Sequence, residues 1–191
     1  MAPLKKFFIV LCLLIFSVST VFAAAPLSQK QIDSIVAIQK GRRPAPETYL
    51  TKKYIKNHLK KFRKGLSIVT GIKSFENYML HADLIGREDN TCFVMPKKFC
   101  DAIEKEAGGD ISIWEKKLSF DAGYFKSQGG LVRIDIIDFC DLNLRIPSGN
   151  EAGANDYWIP GGWTVGDTPE AITDRIPKTR IIVRFLPADK N

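Results

Sequence analysis

Glu170, in the stretch GDTPEAITDRIP, stands alone between a turn and a short apolar run that reads as an edge strand. Glu151, in GNEAGAN, stands among glycines and small residues. A carboxylate in such a place can stabilise developing positive charge or move a proton. Each also has a plainer reading: Glu170 as a solvated residue, Glu151 as an acceptor of backbone N–H bonds that orients its own loop. Arg145, shortly before Pro147, is either a phosphate clamp or the partner of Asp141 or Glu151. His58 or His81, with Glu151, Arg145 and a lysine, would supply the base, acid and cation of a metal-independent ribonuclease. Neither histidine falls in the glycine- and aromatic-rich segment, and His58 lies in a lysine-rich helix where a surface position is expected.

Several other chemistries lack their residues. Ser148 has no strand-to-helix elbow and no histidine after it, so a serine hydrolase triad is unsupported. GGWTVG has no following lysine-serine or lysine-threonine pair and is no phosphate loop. Cys92, Cys100 and Cys140 do not have zinc-site spacing; they read as one disulfide plus a thiol, or as three small buried hydrophobes.

The elements that must position these residues follow from periodicity and punctuation. QIDSIVAIQ reads as a short helix and GRRPAPE, with two prolines, as a linker. Tyr54, Ile55, Leu59 and Phe62 recur at helical spacing with lysines on the other face, until Gly65 breaks the pattern. LSIVT reads as a strand, SFENYMLHADLIG as a helix ending at Gly86, NTCFVMP as a strand, and KKFCDAIEKEAG as a helix with a glycine stop. ISIWEKKL, capped by Asp110 or Ser112, reads as another helix, and GGLVRIDIID and TRIIVRFLP as strands. The expected fold is therefore α+β: N-terminal helices followed by a mixed or antiparallel sheet that carries a long glycine-rich loop. That loop, IPSGNEAGANDYWIPGGWTVGDTP, holds two tryptophans and a tyrosine, which a disordered linker rarely carries. Its aromatics, Trp163 among them, beside glycines could wall a flat ligand while backbone amides approach it.

The first residues set Lys5 and Lys6 before an apolar stretch that ends in Val21-Phe22-Ala23, the layout of an export signal over residues 1–23. The expectation is a secreted or periplasmic protein with no stable membrane insertion once the signal is removed. An exposed lead-in and linker over 24–48 would precede a single catalytic domain over 49–191. The formal net charge is +7, and its distribution is uneven. Ten basic residues and one acid lie between Lys40 and Gly65, whereas the chain from Leu66 on has 19 acidic and 15 basic residues. The basic front is a solvated helix face or a surface for phosphates, an anionic membrane or an acidic partner.

FVMPKKFCDAI, ISIWEKKL, GGLVRIDI and LNLRIPSGNEAGANDYWIPGGWTVGDTPEAITDRIP together resemble the C-terminal toxin modules of bacterial polymorphic and contact-dependent toxin systems. The resemblance covers roughly Tyr54 to Pro187 and implies a secreted toxin or effector with an immunity protein as partner. Such modules usually end very large carriers, whereas here the module follows an export signal directly.

The order FRKGLS, CFVMP, glycine-rich loop, PEAITDRIPKTRIIV is also similar to the layout of ADP-ribosyltransferase-like folds. That similarity implies nicotinamide adenine dinucleotide (NAD) as substrate rather than as a resident cofactor, with no metal. It makes Glu170 the catalytic carboxylate, with Glu151 the competing one, places Arg63 and Ser67 at the dinucleotide site, and makes Phe93 an aromatic wall. Breaking the bond to nicotinamide builds positive charge on the ribose, which a carboxylate stabilises, while an arginine such as Arg145 holds the pyrophosphate. Many protein-modifying transferases carry Glu or Gln two residues before the catalytic Glu. Thr168 stands there, which favours hydrolysis or another acceptor, and Lys64 separates Arg63 from Gly65 where an arginine-glycine pair would stand. RNA cleavage by a metal-independent ribonuclease is the alternative. The third class is a non-enzymatic binding module.

Overall fold

The computed structural model describes residues 27–186, so the expected export signal and Cys12 lie outside the described residues. From Leu27 on, most residues of the lead-in and linker are exposed, as expected, and the segment is anchored to the fold at a few buried points, Leu27, Ile35 and Pro46. Ser28 and Gln31 form a reciprocal capping box that starts α1 (Gln29–Val36). The helix turns Ile35 inward, where it meets Leu27, Leu50, Ile146 and Trp158 in one apolar cluster. The proline-containing linker is held too: Gly41 donates its N–H to Asn150 Oδ1 at 2.7 Å, and the Arg43 guanidinium lies 4.7 Å from the Trp158 ring centre. The linker therefore touches the glycine-rich loop at Gly41 and Arg43 while most of its residues stay exposed.

Thr51 caps α2 (Lys52–Leu59), accepting from Tyr54 N at 3.2 Å, and a 3-10 turn over Lys60–Phe62 extends it. The helix faces inward through Tyr54, Ile55, Leu59 and Phe62 as its periodicity predicts. Gly65, at φ 119°, then turns the chain into β1 (Leu66–Gly71), all six of whose residues are buried. The helix expected to run on to Gly86 is shorter. After α3 (Ile72–Tyr78) the chain forms β2 (Leu84–Ile85), which pairs with β6 (Ile176–Pro177) and buries Ile85 completely. A long-range pairing has displaced the local helical preference.

β3 (Cys92–Pro96) leads into α4 (Lys97–Ala107), which Gly108 ends in the left-handed conformation. Asp110 caps α5 (Ile111–Leu118) by accepting from Ser112 N at 2.8 Å, and α6 (Tyr124–Ser127) precedes β4 (Leu131–Ile136). After the long loop come β5 (Ala171–Thr173), β6, a 3-10 turn and β7 (Ile181–Leu186). The main sheet has the order β5-β3-β1-β4-β7 with every neighbouring pair antiparallel, and β2–β6 forms a second, two-stranded sheet. The class is α+β, as expected, and its larger sheet is antiparallel.

One face of the sheet, through Leu66, Ile68, Val132 and Ile134, packs on Phe62, Phe75 and Ile85. The other, through Val69, Met95 and Leu131, packs on Cys100, Ile103, Trp114 and Phe125 from α4 to α6. Arg133 is buried beneath α4 in contact with Asp101 and Glu104, both at 2.5 Å, and Asp135 at 2.8 Å. The three cysteines are free; Cys92 and Cys100 are buried and Cys140 is exposed. The paired-cysteine alternative is thus absent, and burial pushes the Cys92 and Cys100 thiols up to about 12.

Candidate active site

β1 is paired with β4 along six residues but with β3 only at Leu66↔Pro96 and Ser67↔Met95. Beyond that point the two strands part, and Ile68, Val69 and Thr70 face Cys92, Phe93 and Val94 across a cleft of about 630 Å³. The glycine-rich loop closes the far wall. The volume is that of a site for a small ligand, lined by aromatics with few charged groups. The charged residues of its lining are Arg87, Glu88 and Glu170.

Glu170 reaches this wall through the end of the loop, which folds back on itself. Ile159 bridges Trp163 and Trp163 bridges Pro169, while Thr164 N donates to Thr168 O at 2.9 Å. Glu170 N donates to Gly162 O at 2.7 Å, and the Glu170 carbonyl accepts from His58 Nε2 at 2.9 Å. Gly162 is required there: at φ 79°, a Cβ would lie 2.8 Å from the Glu170 carbonyl oxygen and 2.8 Å from His58 Nε2. β5 follows at once and is the sheet's edge strand, in agreement with the sequence. The Glu170 side chain is not the solvated group of the plainer reading. It is half-buried, lines the cleft, and its carboxyl has no hydrogen-bond or ion-pair partner among the described residues. Burial, with the Glu151 charge as the smaller cause, raises its pKa to about 8. The partial exposure of the residue is the surface that it shows to the cleft.

His58 corrects the surface expectation. It is fully buried between Tyr54, Phe62 and Trp163, with ring centres 5.9, 5.6 and 5.5 Å away. Burial lowers its pKa to about 4, so near neutrality the ring is uncharged and its Nε2 proton goes to the Glu170 carbonyl. The same helix fixes the loop tryptophan. Trp163 Nε1 donates to Tyr54 Oη, and Tyr54 Oη donates to Gly161 O, each at 2.9 Å. Lys61 lies over Trp163, its nitrogen 5.2 Å from the ring centre. α2 therefore does two things: it shows lysines outward and holds the Gly161–Glu170 segment from within.

The structure brings Glu170, Ser67, Phe93 and Trp163 to one cleft and leaves other candidates outside its lining. Ser67 is fully buried, its hydroxyl donating to Asp135 Oδ1 at 2.5 Å, so it offers no free hydroxyl to a ligand. Phe93 is a wall residue on β3. Arg63 is exposed beyond the end of α2, away from the cleft. Arg145 pairs with Asp174 at 2.8 Å, rather than with Asp141 or Glu151. Glu151 is buried; its carboxylate accepts from Ser148 N, Ser148 Oγ and Gly149 N, each at 2.8 Å, which is the loop-orienting role. Its charge still reaches Glu170.

Arg87 is the residue that sequence reasoning missed. It lines the cleft from the turn between β2 and β3, and a Cβ on Gly153 would lie 2.9 Å from both its Nε and the Phe93 ring. Asp89 ties the same turn to the loop by accepting from Ala152 N at 2.6 Å. A lone arginine in GREDN has no periodicity or motif to mark it; its only signal is the turn itself. Among the described residues no cluster of three or more metal-ligating side chains is found. No protein-family model matches the chain, and no curated protein matches it.

Proposed function

We propose that the chain is a secreted, toxin-like enzyme that acts on NAD, cleaving the bond between nicotinamide and ribose with Glu170 as its catalytic carboxylate. The observation that carries this reading is the unpartnered Glu170 carboxyl in the wall of an aromatic-lined cleft between two parting strands. A glutamate after the glycine-rich loop and near the end of the chain, in one cleft with Phe93 on its strand, also favours the ADP-ribosyltransferase-like layout.

In this reading Phe93 and Trp163 flank the nicotinamide ring, and Arg87 meets the phosphates at the other end. As the C1′–N bond breaks, its electron pair passes to the ring nitrogen and neutralises the pyridinium, while positive charge grows on the ribose. Ionised Glu170 stabilises that charge, and a water oxygen adds to C1′ with loss of a proton. Hydrolysis is favoured over transfer to a protein, because Thr168 is buried and its backbone is tied to Thr164. The resemblance to bacterial polymorphic-toxin modules implies an immunity protein as partner.

The ribonuclease alternative has less support. His58 is buried and engaged with a backbone carbonyl, and His81 lies outside the cleft lining. The test is incubation of the purified chain with NAD and, separately, with total RNA. Release of nicotinamide with RNA intact supports the reading; degraded RNA with intact NAD overturns it.

A further inference from the structure

Glu170 is a carboxyl without a counter-charge in a cleft whose walls are aromatic. The charged and titratable groups packed around it explain why. From the loop comes Glu151, an acid, with the Tyr49 hydroxyl beside it. From α2 come Tyr54, whose hydroxyl is engaged with Trp163 and Gly161, and His58, whose ring is neutral. Lys61 lies over Trp163, and Arg87 and Glu88 belong to the turn before β3. The charge that acts on the Glu170 carboxyl is that of Glu151, which opposes ionisation, and no cation offsets it. A desolvated acid in that setting stays protonated until something positive arrives. The faces of Trp163 and Phe93 carry negative quadrupole and also attract a cation.

We propose that the cleft selects a flat aromatic cation, and that the cation binds by ionising Glu170, whose proton leaves to solvent. This deepens the proposed function and rests on the same cleft being the reactive one. It makes the substrate the source of its own catalyst's charge: a pyridinium ring switches Glu170 to the form that stabilises the ribosyl cation, whereas a neutral dihydropyridine leaves it protonated. Once the glycosidic bond breaks, the ring is neutral and the reason for tight binding is gone, so nicotinamide leaves easily.

The experiment is titration calorimetry of the purified chain with 1-methylnicotinamide and with its neutral counterpart nicotinamide, in buffers of different ionisation enthalpy. A neighbouring opposite charge displaces a carboxyl pKa by about one to three units, so above about pH 8, where Glu170 is ionised, the cation should bind about ten- to thousandfold more tightly than the neutral ring. Its affinity should rise with pH, by up to about tenfold per unit, between the lowered pKa and about pH 8 and level off above, with roughly half to one proton released at about pH 7. Glu170→Gln should abolish the proton release and cut the preference to the little that the aromatic faces supply, while circular dichroism confirms that the variant is folded. Equal affinity for the two rings, binding without proton release, or binding of neither ring would overturn the inference. NAD turnover measured on the same sample keeps the two ideas apart. Turnover without cation preference removes the inference alone, and cation binding with proton release but no turnover removes the proposed function alone.

Discussion

Replacing Glu170 with Gln should stabilise the protein, and by an amount that grows with pH. The folded-state pKa of Glu170 is about 8 against an ordinary value of 4.5. Its folded pKa lies above its unfolded one, so the stability linked to its protonation is complete below about pH 4.5 and is lost as pH rises through about 8. Glutamine keeps the shape and has no proton to lose. At about 1.4 kcal/mol per pH unit the ceiling over that window is about 5 kcal/mol; water in the cleft screens the carboxyl, which brings the expected gain to about 2–3 kcal/mol. Urea unfolding of both proteins at several values between about pH 5 and pH 9 measures it. The two curves should nearly coincide at the acid end, separate in favour of the variant up to about pH 8, and then run parallel. A constant difference across pH, or a wild type that gains on the variant as pH rises, would refute the burial argument. A gain in stability from removing the proposed catalytic group is what a site held in an unfavourable electrostatic state would show.

Arg133→Met should destabilise the fold by about 3–5 kcal/mol, because it leaves the Asp101, Glu104 and Asp135 carboxylates without their common cation; thermal or urea unfolding reads this directly. Gly162→Ala forces a side chain into a left-handed position and against the Glu170 carbonyl, so it should cost about 1–3 kcal/mol and lower turnover together, whereas alanine at exposed Gly123 should cost stability alone. Changing Lys52, Lys53 and Lys56 to Gln should alter stability by less than about 1 kcal/mol, since all three are exposed on the outer face of α2; a large fall in melting temperature would place them in the fold.

What the sequence makes legible here is local. α2, α4, α5 and β4 carry their signals in their own residues: helical spacing from Tyr54 to Phe62, Gly108 and Asp110 at the ends, alternation in GGLVRIDIID. The helix read over SFENYMLHADLIG stops short because its last turns are claimed by β6, nearly a hundred residues away. His58 is misread for the same reason. Its neighbours in sequence are lysines, and its neighbours in space are Trp163 and the Glu170 carbonyl, which no spacing rule connects. The few buried contacts of the exposed lead-in escape the sequence because Trp158, which Arg43 covers, is distant in the chain. Glu170 and Trp163 stand out through their glycine-rich and aromatic context and Phe93 through the resemblance, and the structure brings all three to one cleft. Arg63 and Arg145 carried only their charge, which cannot tell a ligand clamp from an exposed residue or the partner of Asp174. Arg87 needed the parting of β1 and β3 to be noticed.

The central claim is tested most directly by single-turnover release of nicotinamide from NAD by the wild type, Glu170→Gln and Glu151→Gln. Loss of one electrostatic stabiliser of about 3–4 kcal/mol corresponds to a fall of roughly a hundred- to a thousandfold in the Glu170 variant. That variant should remain folded. Glu151→Gln should keep more of its turnover and lose stability instead, because its carboxylate holds Ser148 and Gly149. Wild-type turnover by Glu170→Gln, with loss confined to Glu151→Gln, would contradict the account and move the reactive carboxylate into the GNEAGAN loop.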